Sequence, residues 1–148
     1  MEDYPIAPDL EGVTEWLQST PLNLKQLEGK VVGLEFWAVG CGNCQNAVPH
    51  MQKIYEKYGH KGFVLIGVHS PEFASEKNVD LIKKFLMHEH ITFPVAIDND
   101  HVVWNKYHNQ YWPTLYLIDK RGRIRARHIG EGGYHSISHD IAILLKEN

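Results

Sequence analysis

Only two cysteines occur in 148 residues, both in the run Cys41-Gly42-Asn43-Cys44. A small fold stapled by disulfides needs more, so packing must hold this one, and the lack of a second pair points to a reducing compartment. Concentrated positive charge is also missing. The chain carries 15 Lys and Arg against 18 Asp and Glu, for a net charge of −3, and no basic run exceeds Lys83-Lys84. Without a basic stripe, nucleic acid is not an expected partner, and the charges read as a solvated surface. No apolar run approaches a membrane span, so no integral membrane segment is expected. Met1-Glu2-Asp3-Tyr4-Pro5 is acidic and lacks the apolar core of a signal peptide. The expectation is a cytoplasmic protein, or else an extracytoplasmic domain whose signal or anchor is absent from this chain. Repeats, low-complexity tracts, P-loops and dinucleotide fingerprints are absent too, and no cofactor is expected.

What is present is a core-forming composition: 43% of the residues are hydrophobic, enough for one soluble domain spanning residues 1–148. A monomer is expected. The cysteines follow the apolar run Val31 to Ala38, which reads as a buried strand. They precede Gln45 to Tyr58, where Val48, Met51, Ile54, Tyr55 and Tyr58 recur at the spacing of one helical face. Cys41 therefore sits at the mouth of a helix and Cys44 one turn in, on the same side. Unpaired N–H groups at a helix start favour an anion, which favours the thiolate of the first cysteine. C-x-x-C between a strand and a helix is a redox signal.

The remaining pattern alternates strand and helix. Phe63 to His69 reads as a buried parallel strand, Asn78 to His88 as a helix, and Phe93 to Asp98 as a short strand. His101 to Tyr107 is expected to form a helical turn or two, and Thr114 to Asp119 another strand. Asp119-Lys120-Arg121-Gly122 supplies a hairpin turn, Arg123 to Gly130 the returning strand, and Ser136 to Lys146 a closing amphipathic helix. The sum is a three-layer α/β domain whose central mixed sheet is parallel at its start and antiparallel at its end. In open α/β sheets, sites lie beyond the carboxyl ends of the strands, where the cysteines fall.

These residues resemble the thioredoxin superfamily, and within it the TlpA/ResA-like thiol-disulfide oxidoreductases and DipZ-type thioredoxin-like domains. The resemblance runs from Pro8-Asp9-Leu10 and Gly29-Lys30-Val31-Val32 through Glu35-Phe36-Trp37-Ala38 and the C-x-x-C to Tyr111-Trp112-Pro113-Thr114 and Ile118-Asp119. It implies a thioredoxin-like fold in which Ser70 to Asp98 is the extra α/β insertion of the TlpA type. Pro49 falls where such proteins kink the helix that carries the cysteines.

The resemblance also suggests roles. Glu35 lies inside an apolar strand, where an unpaired carboxylate is costly enough to take up a proton. Family members place an acidic residue here as a proton relay, so Glu35 is expected to act as acid and base for Cys44. Pro113 resembles the family's cis-proline beside the C-x-x-C, with the backbone of Trp112 pairing to an extended substrate segment by strand addition. Trp112, Tyr111, Trp37 and Val39 would form an apolar rim, with Trp37 given mainly to packing. Gly42 and Asn43, between the cysteines, complete the expected substrate-binding set.

Of ten histidines, His135 and His139 pair with the cysteines in zinc-ligand arithmetic, but a whole fold separates the halves, and no metal is expected. His69, at a strand end near the site, is read as a structural histidine with a possible supporting role. Peroxiredoxins want Pro-x3-Thr-x2-Cys, and Leu34 and Ala38 occupy those positions here, which disfavours peroxidase chemistry.

The expected activity is protein thiol-disulfide exchange. Cys41 attacks a substrate disulfide, and Cys44, activated through Glu35, then releases the reduced substrate. The partners are a protein disulfide and a reductant or donor protein. The alternative is a non-catalytic redox-sensing or zinc-handling module built on the same thiols. Asn43 stands where thioredoxin has the proline of CGPC and can donate hydrogen bonds that proline cannot, so a more oxidising couple is expected. Gly40 stands where thioredoxin has tryptophan.

Overall fold

In the computed structural model, which describes residues 3–148, the run Val31 to Trp37 is buried at all seven positions, which places it centrally in a sheet. Met1 and Glu2 of the acidic N-terminal stretch lie outside the described residues. Among the described residues the strands are β1 (Glu15–Leu17), β2 (Val31–Trp37), β3 (Phe63–His69), β4 (Val95–Ile97), β5 (Thr114–Ile118) and β6 (Ile124–Ile129). They form one sheet in the order β1-β4-β3-β2-β5-β6. β2 runs parallel to β3, and β3 to β4, whereas β5 runs antiparallel to β2 and β6 to β5.

Side chains alternate across a strand, so β2 serves two cores. Val31 and Trp37 pack with Cys44, Val48 and Met51 of helix α1 (Gly42–Tyr58), with Ile82 and Leu86 of α2 (Val79–His88), and with Ile137 and Ile141 of α4 (Tyr134–Lys146). Val32, Leu34 and Phe36 face the other way, against Ala7, Leu10, Leu27 and Val103 and Trp104 of α3 (Val102–Lys106). By the same alternation Glu35 points to the α1 face, the side on which Cys44 lies.

Local chemistry sets the element ends. Asn78 caps α2, its side chain accepting the Asp80 N–H at 3.0 Å. Asp119 accepts the N–H groups of Arg121 and Arg123 at 2.9 and 3.0 Å, closing the β5–β6 turn, where Gly122 takes φ 78°. Pro49 lies inside α1. The insertion between Ser70 and Asp98 contains a 3-10 turn (Ala74–Lys77), α2 and β4.

Several boundaries differ from the pattern-based reading. α1 starts at Gly42, ahead of the apolar stripe that begins near Val48, because Cys41 itself is its N-cap. The expected strand from Phe93 to Asp98 shortens to Val95–Ile97; Pro94, with no N–H to give, joins the sheet only through its carbonyl, which accepts from Gly67 at 2.9 Å. β1, antiparallel to β4, carries too few residues to leave a periodic signal and is held by that pairing and by Leu17 and Trp16 packing into the two cores.

Candidate functional site

The end of β2 leads through Ala38, Val39 and Gly40 into Cys41. With φ −81° and ψ 120°, Cys41 caps α1, and its Sγ accepts the backbone N–H of Cys44 at 3.3 Å. Both cysteines are free thiols; Cys41 is partly exposed and Cys44 buried. Burial pushes the Cys44 thiol well above its ordinary range, helped by its hydrogen bond to the Cys41 sulfur and by the nearby charge of Glu35, while a backbone contact from Ala38 pulls the other way. The Cys41 sulfur therefore receives the Cys44 N–H, and Cys41 is the partly exposed member of the pair. That arrangement suits a nucleophile at position 41 and a proton-holding thiol at position 44.

Glu35 is 3% exposed, and burial raises its carboxyl pKa to about 8. A group poised there can take and return a proton near neutral pH. Strand alternation turns this buried carboxyl to the α1 face of β2, the side on which Cys44 lies.

Three chain segments converge around this pair. β5 is antiparallel to β2 with Thr114 opposite Phe36, so Pro113, one residue earlier, lies at the sheet end from which Cys41 emerges. The Trp112–Pro113 peptide bond is cis, Pro113 is buried, and Tyr111 is 54% exposed. The indole N–H of Trp112 donates to the Ser70 carbonyl at 2.7 Å, tying this loop to the end of β3. Neither the N–H nor the carbonyl of Trp112 has a backbone partner among the described residues. Gly42 and Asn43 are exposed at the helix start.

Trp37 does not belong to a substrate-facing rim. Its side chain is fully buried, edge-on to His69 at 4.9 Å and tilted against Phe85 at 5.5 Å; on the α1 face of β2 it is covered by α2. His69 is also fully buried. Its Nε2 accepts the Val39 N–H at 3.0 Å, so the ring carries its proton on Nδ1 when neutral. Burial lowers its pKa to about 4, partly offset by Glu76.

Pattern reading missed Glu76 and Asp98. Glu76 is 4% exposed and holds the N–H of Gly40 at 2.8 Å. In sequence it is one acid among polar loop residues, and only the glycine before Cys41 hints that something must fit there. Asp98, fully buried, accepts from the Ser70 hydroxyl at 2.8 Å and from the N–H groups of Val103 and Trp104 at 3.0 and 2.9 Å. The zinc arithmetic of Cys41, Cys44, His135 and His139 has no spatial counterpart: among the described residues no three His, Cys, Asp or Glu side chains gather where a metal ion could be held, and both histidines are exposed on α4.

Residues 6–127 match the sequence profile of the AhpC/TSA family. The chain is 44% identical over 138 residues to protein DipZ of Mycobacterium bovis, covering 91% of this chain and 20% of DipZ, and so spans about a fifth of that relative's length. It is 26% identical over 140 residues to the thiol-disulfide oxidoreductase YkuV of Bacillus subtilis, covering 95% of this chain and 94% of YkuV. Among solved structures it resembles a thiol-disulfide isomerase from Corynebacterium glutamicum, with a TM-score of 0.85, 32% identity, and 96% and 98% of the two chains covered. The architecture is the thioredoxin-like fold.

Proposed function

The chain belongs to the AhpC/TSA family, and from that premise we propose that it is a thiol-disulfide oxidoreductase that reduces protein disulfides through Cys41 and Cys44. The observation that carries the reading is the unequal pair: a partly exposed Cys41 whose sulfur takes the Cys44 N–H at 3.3 Å, beside a Cys44 thiol held protonated by burial. YkuV and the Corynebacterium protein carry thiol-disulfide exchange in their names, which supports the same reaction here.

The Cys41 thiolate attacks one sulfur of the client disulfide; that S–S bond breaks, a Cys41–client disulfide forms, and the client's other sulfur leaves as a thiolate. Cys44 then gives up its proton, with the ionised form of Glu35, the minority form below about pH 8, as acceptor, and its thiolate displaces the client from Cys41. The products are a reduced client and a Cys41–Cys44 disulfide, which a donor dithiol resets. The unpaired backbone of Trp112 beside Pro113 suits an extended client segment added in strand fashion, with exposed Tyr111, Gly42 and Asn43 at its edge. We read residues 1–148 as one domain, since one sheet carries both cores, and as acting as a monomer.

Reduction of insulin disulfides with dithiothreitol as donor tests this directly. The native protein is expected to accelerate precipitation of insulin chains and Cys41→Ser to be inert. Native protein no faster than dithiothreitol alone would sink the reading.

A further inference from the structure

Glu76 occupies a place that the proposed reaction does not explain. It comes from the 3-10 turn after β3, yet its carboxylate is buried against the turn that carries Cys41. One oxygen, Oε2, accepts the Gly40 N–H at 2.8 Å. The other accepts the N–H groups of Glu72 and Phe73 at 3.0 and 2.7 Å. A single side chain thus joins the backbone just before Cys41 to the start of the insertion. A Cβ on Gly40 would stand 2.9 Å from Oε2 and 3.3 Å from the carboxyl carbon. Glycine at position 40 and the carboxylate at position 76 fit each other, and a larger residue at 40 would displace the acid.

The neighbouring N–H groups are committed as well. Val39 donates to His69 Nε2 at 3.0 Å, and Cys41 donates to the Ala38 carbonyl at 3.1 Å. The amides of Val39, Gly40 and Cys41 all point to acceptors other than the Cys41 sulfur. Amide donors and the positive end of a helix are what stabilise a thiolate at such a position. Here one of them is taken by a buried carboxylate, whose own negative charge then sits against the residue just before Cys41.

We infer that Glu76 is a positioning residue of the redox site that fixes the Val39–Gly40 turn and, by setting negative charge against Cys41, keeps the Cys41–Cys44 couple more reducing. The inference rests on the thiol-disulfide reading. The sign follows from the couple: the charge destabilises the thiolate of the reduced form, and a less stable reduced form gives up its electrons more readily.

The test is equilibration of native protein, Glu76→Gln and Glu76→Asp against glutathione buffers, with dithiol and disulfide separated after acid quenching. Glu76→Gln is expected to shift the equilibrium about tenfold toward the dithiol, equivalent to roughly 30 mV for two electrons. Glu76→Asp, which keeps the charge on a shorter arm, is expected to stay nearer the native value. A merely structural role would move the two variants together. If Glu76→Gln does not fold, Gly40→Ala, which pushes the carboxylate off the turn, is expected to shift the equilibrium the same way. A glutamine variant within twofold of native, an aspartate variant displaced as far as the glutamine one, or an unmoved Gly40→Ala overturns the inference. Native protein that never forms the Cys41–Cys44 disulfide in these buffers would instead overturn the redox reading beneath it.

Discussion

Trp104 and Trp112 stack with ring centroids 4.1 Å apart and planes 29° from parallel, which couples α3 to the loop carrying the cis Trp112–Pro113 bond. Behind them stands Asp98, whose carboxylate holds the start of α3 and, through Ser70, the end of β3. The Ser70 carbonyl in turn takes the Trp112 indole N–H. The loop opposite the cysteines is thus aimed by a chain of contacts that begins on a buried carboxylate 15 residues earlier in sequence than Pro113.

Asp98→Ala is therefore expected to lower stability by roughly 2–4 kcal/mol, since two backbone N–H groups and a hydroxyl lose their acceptor in a buried place. Urea unfolding followed by tryptophan fluorescence measures this. A loss below about 0.5 kcal/mol, the usual range for a surface change, would show that Asp98 organises nothing.

The two cysteines should behave unequally. Cys41→Ser is expected to abolish disulfide reduction, while Cys44→Ser should attack clients and accumulate mixed disulfides visible by mass spectrometry. Iodoacetamide at neutral pH should label Cys41 of the reduced protein first. Faster labelling of Cys44 would reverse the assignment.

Glu35→Gln is expected to keep the fold and slow turnover by about 10²- to 10⁴-fold, the usual worth of a placed proton-transfer group, with the loss falling on release of the client from Cys41. Stability should respond oppositely. Glu35 has a folded pKa of about 8 against 4.5 for the carboxyl in the unfolded chain, so between those values the unfolded chain is ionised while the folded one is not. Native stability relative to Glu35→Gln should fall as pH rises from about 4.5 to about 8, by at most roughly 5 kcal/mol, and be flat beyond either end. A constant difference across that window would mean the carboxyl is not protonated by burial.

His69 predicts a second pH window. Its folded pKa is near 4 against 6.5 unfolded, so as pH falls through this interval the unfolded chain binds a proton that the folded chain refuses. The His69 contribution, read as native stability relative to His69→Asn so that the opposing Glu35 contribution cancels, should drop by up to roughly 3 kcal/mol between pH 6.5 and 4. Thermal melts of both proteins across the window decide it; parallel slopes would clear His69 of the effect.

Asn43→Pro removes a backbone N–H and a side-chain amide from between the two cysteines, so the couple is expected to become more reducing and the Cys41 thiolate less abundant at neutral pH. Potential from glutathione or dithiothreitol equilibration and thiolate absorbance should move together. A potential that rises on substitution, or stays fixed while the thiolate changes, would mean that thiolate stabilisation does not set the poise.

Much of this protein is legible in the sequence because the signals are local. The run from Val31 to Trp37, the helical stripe from Val48 to Tyr58 and the turn at Gly122 each declare an element within a few residues, and Cys41 and Cys44 are neighbours in sequence before they are neighbours in space. Glu35 is legible for the same reason: a carboxylate inside an unbroken apolar strand has nowhere wet to point. What only the tertiary structure decided are contacts between distant segments. Gly40 and Glu76 are 36 residues apart, Val39 and His69 are 30, and Ser70 and Trp112 are 42. Each is a hydrogen bond between a loop amide or side chain and a partner delivered by the end of β3 or the 3-10 turn that follows it, and such groups carry no periodicity. Trp37 shows the converse. Its sequence position beside the cysteines suggests a rim, but strand alternation and the cover of α2 turn its ring into the core, because a side chain's exposure is set by what packs over it and not by its distance along the chain from the site.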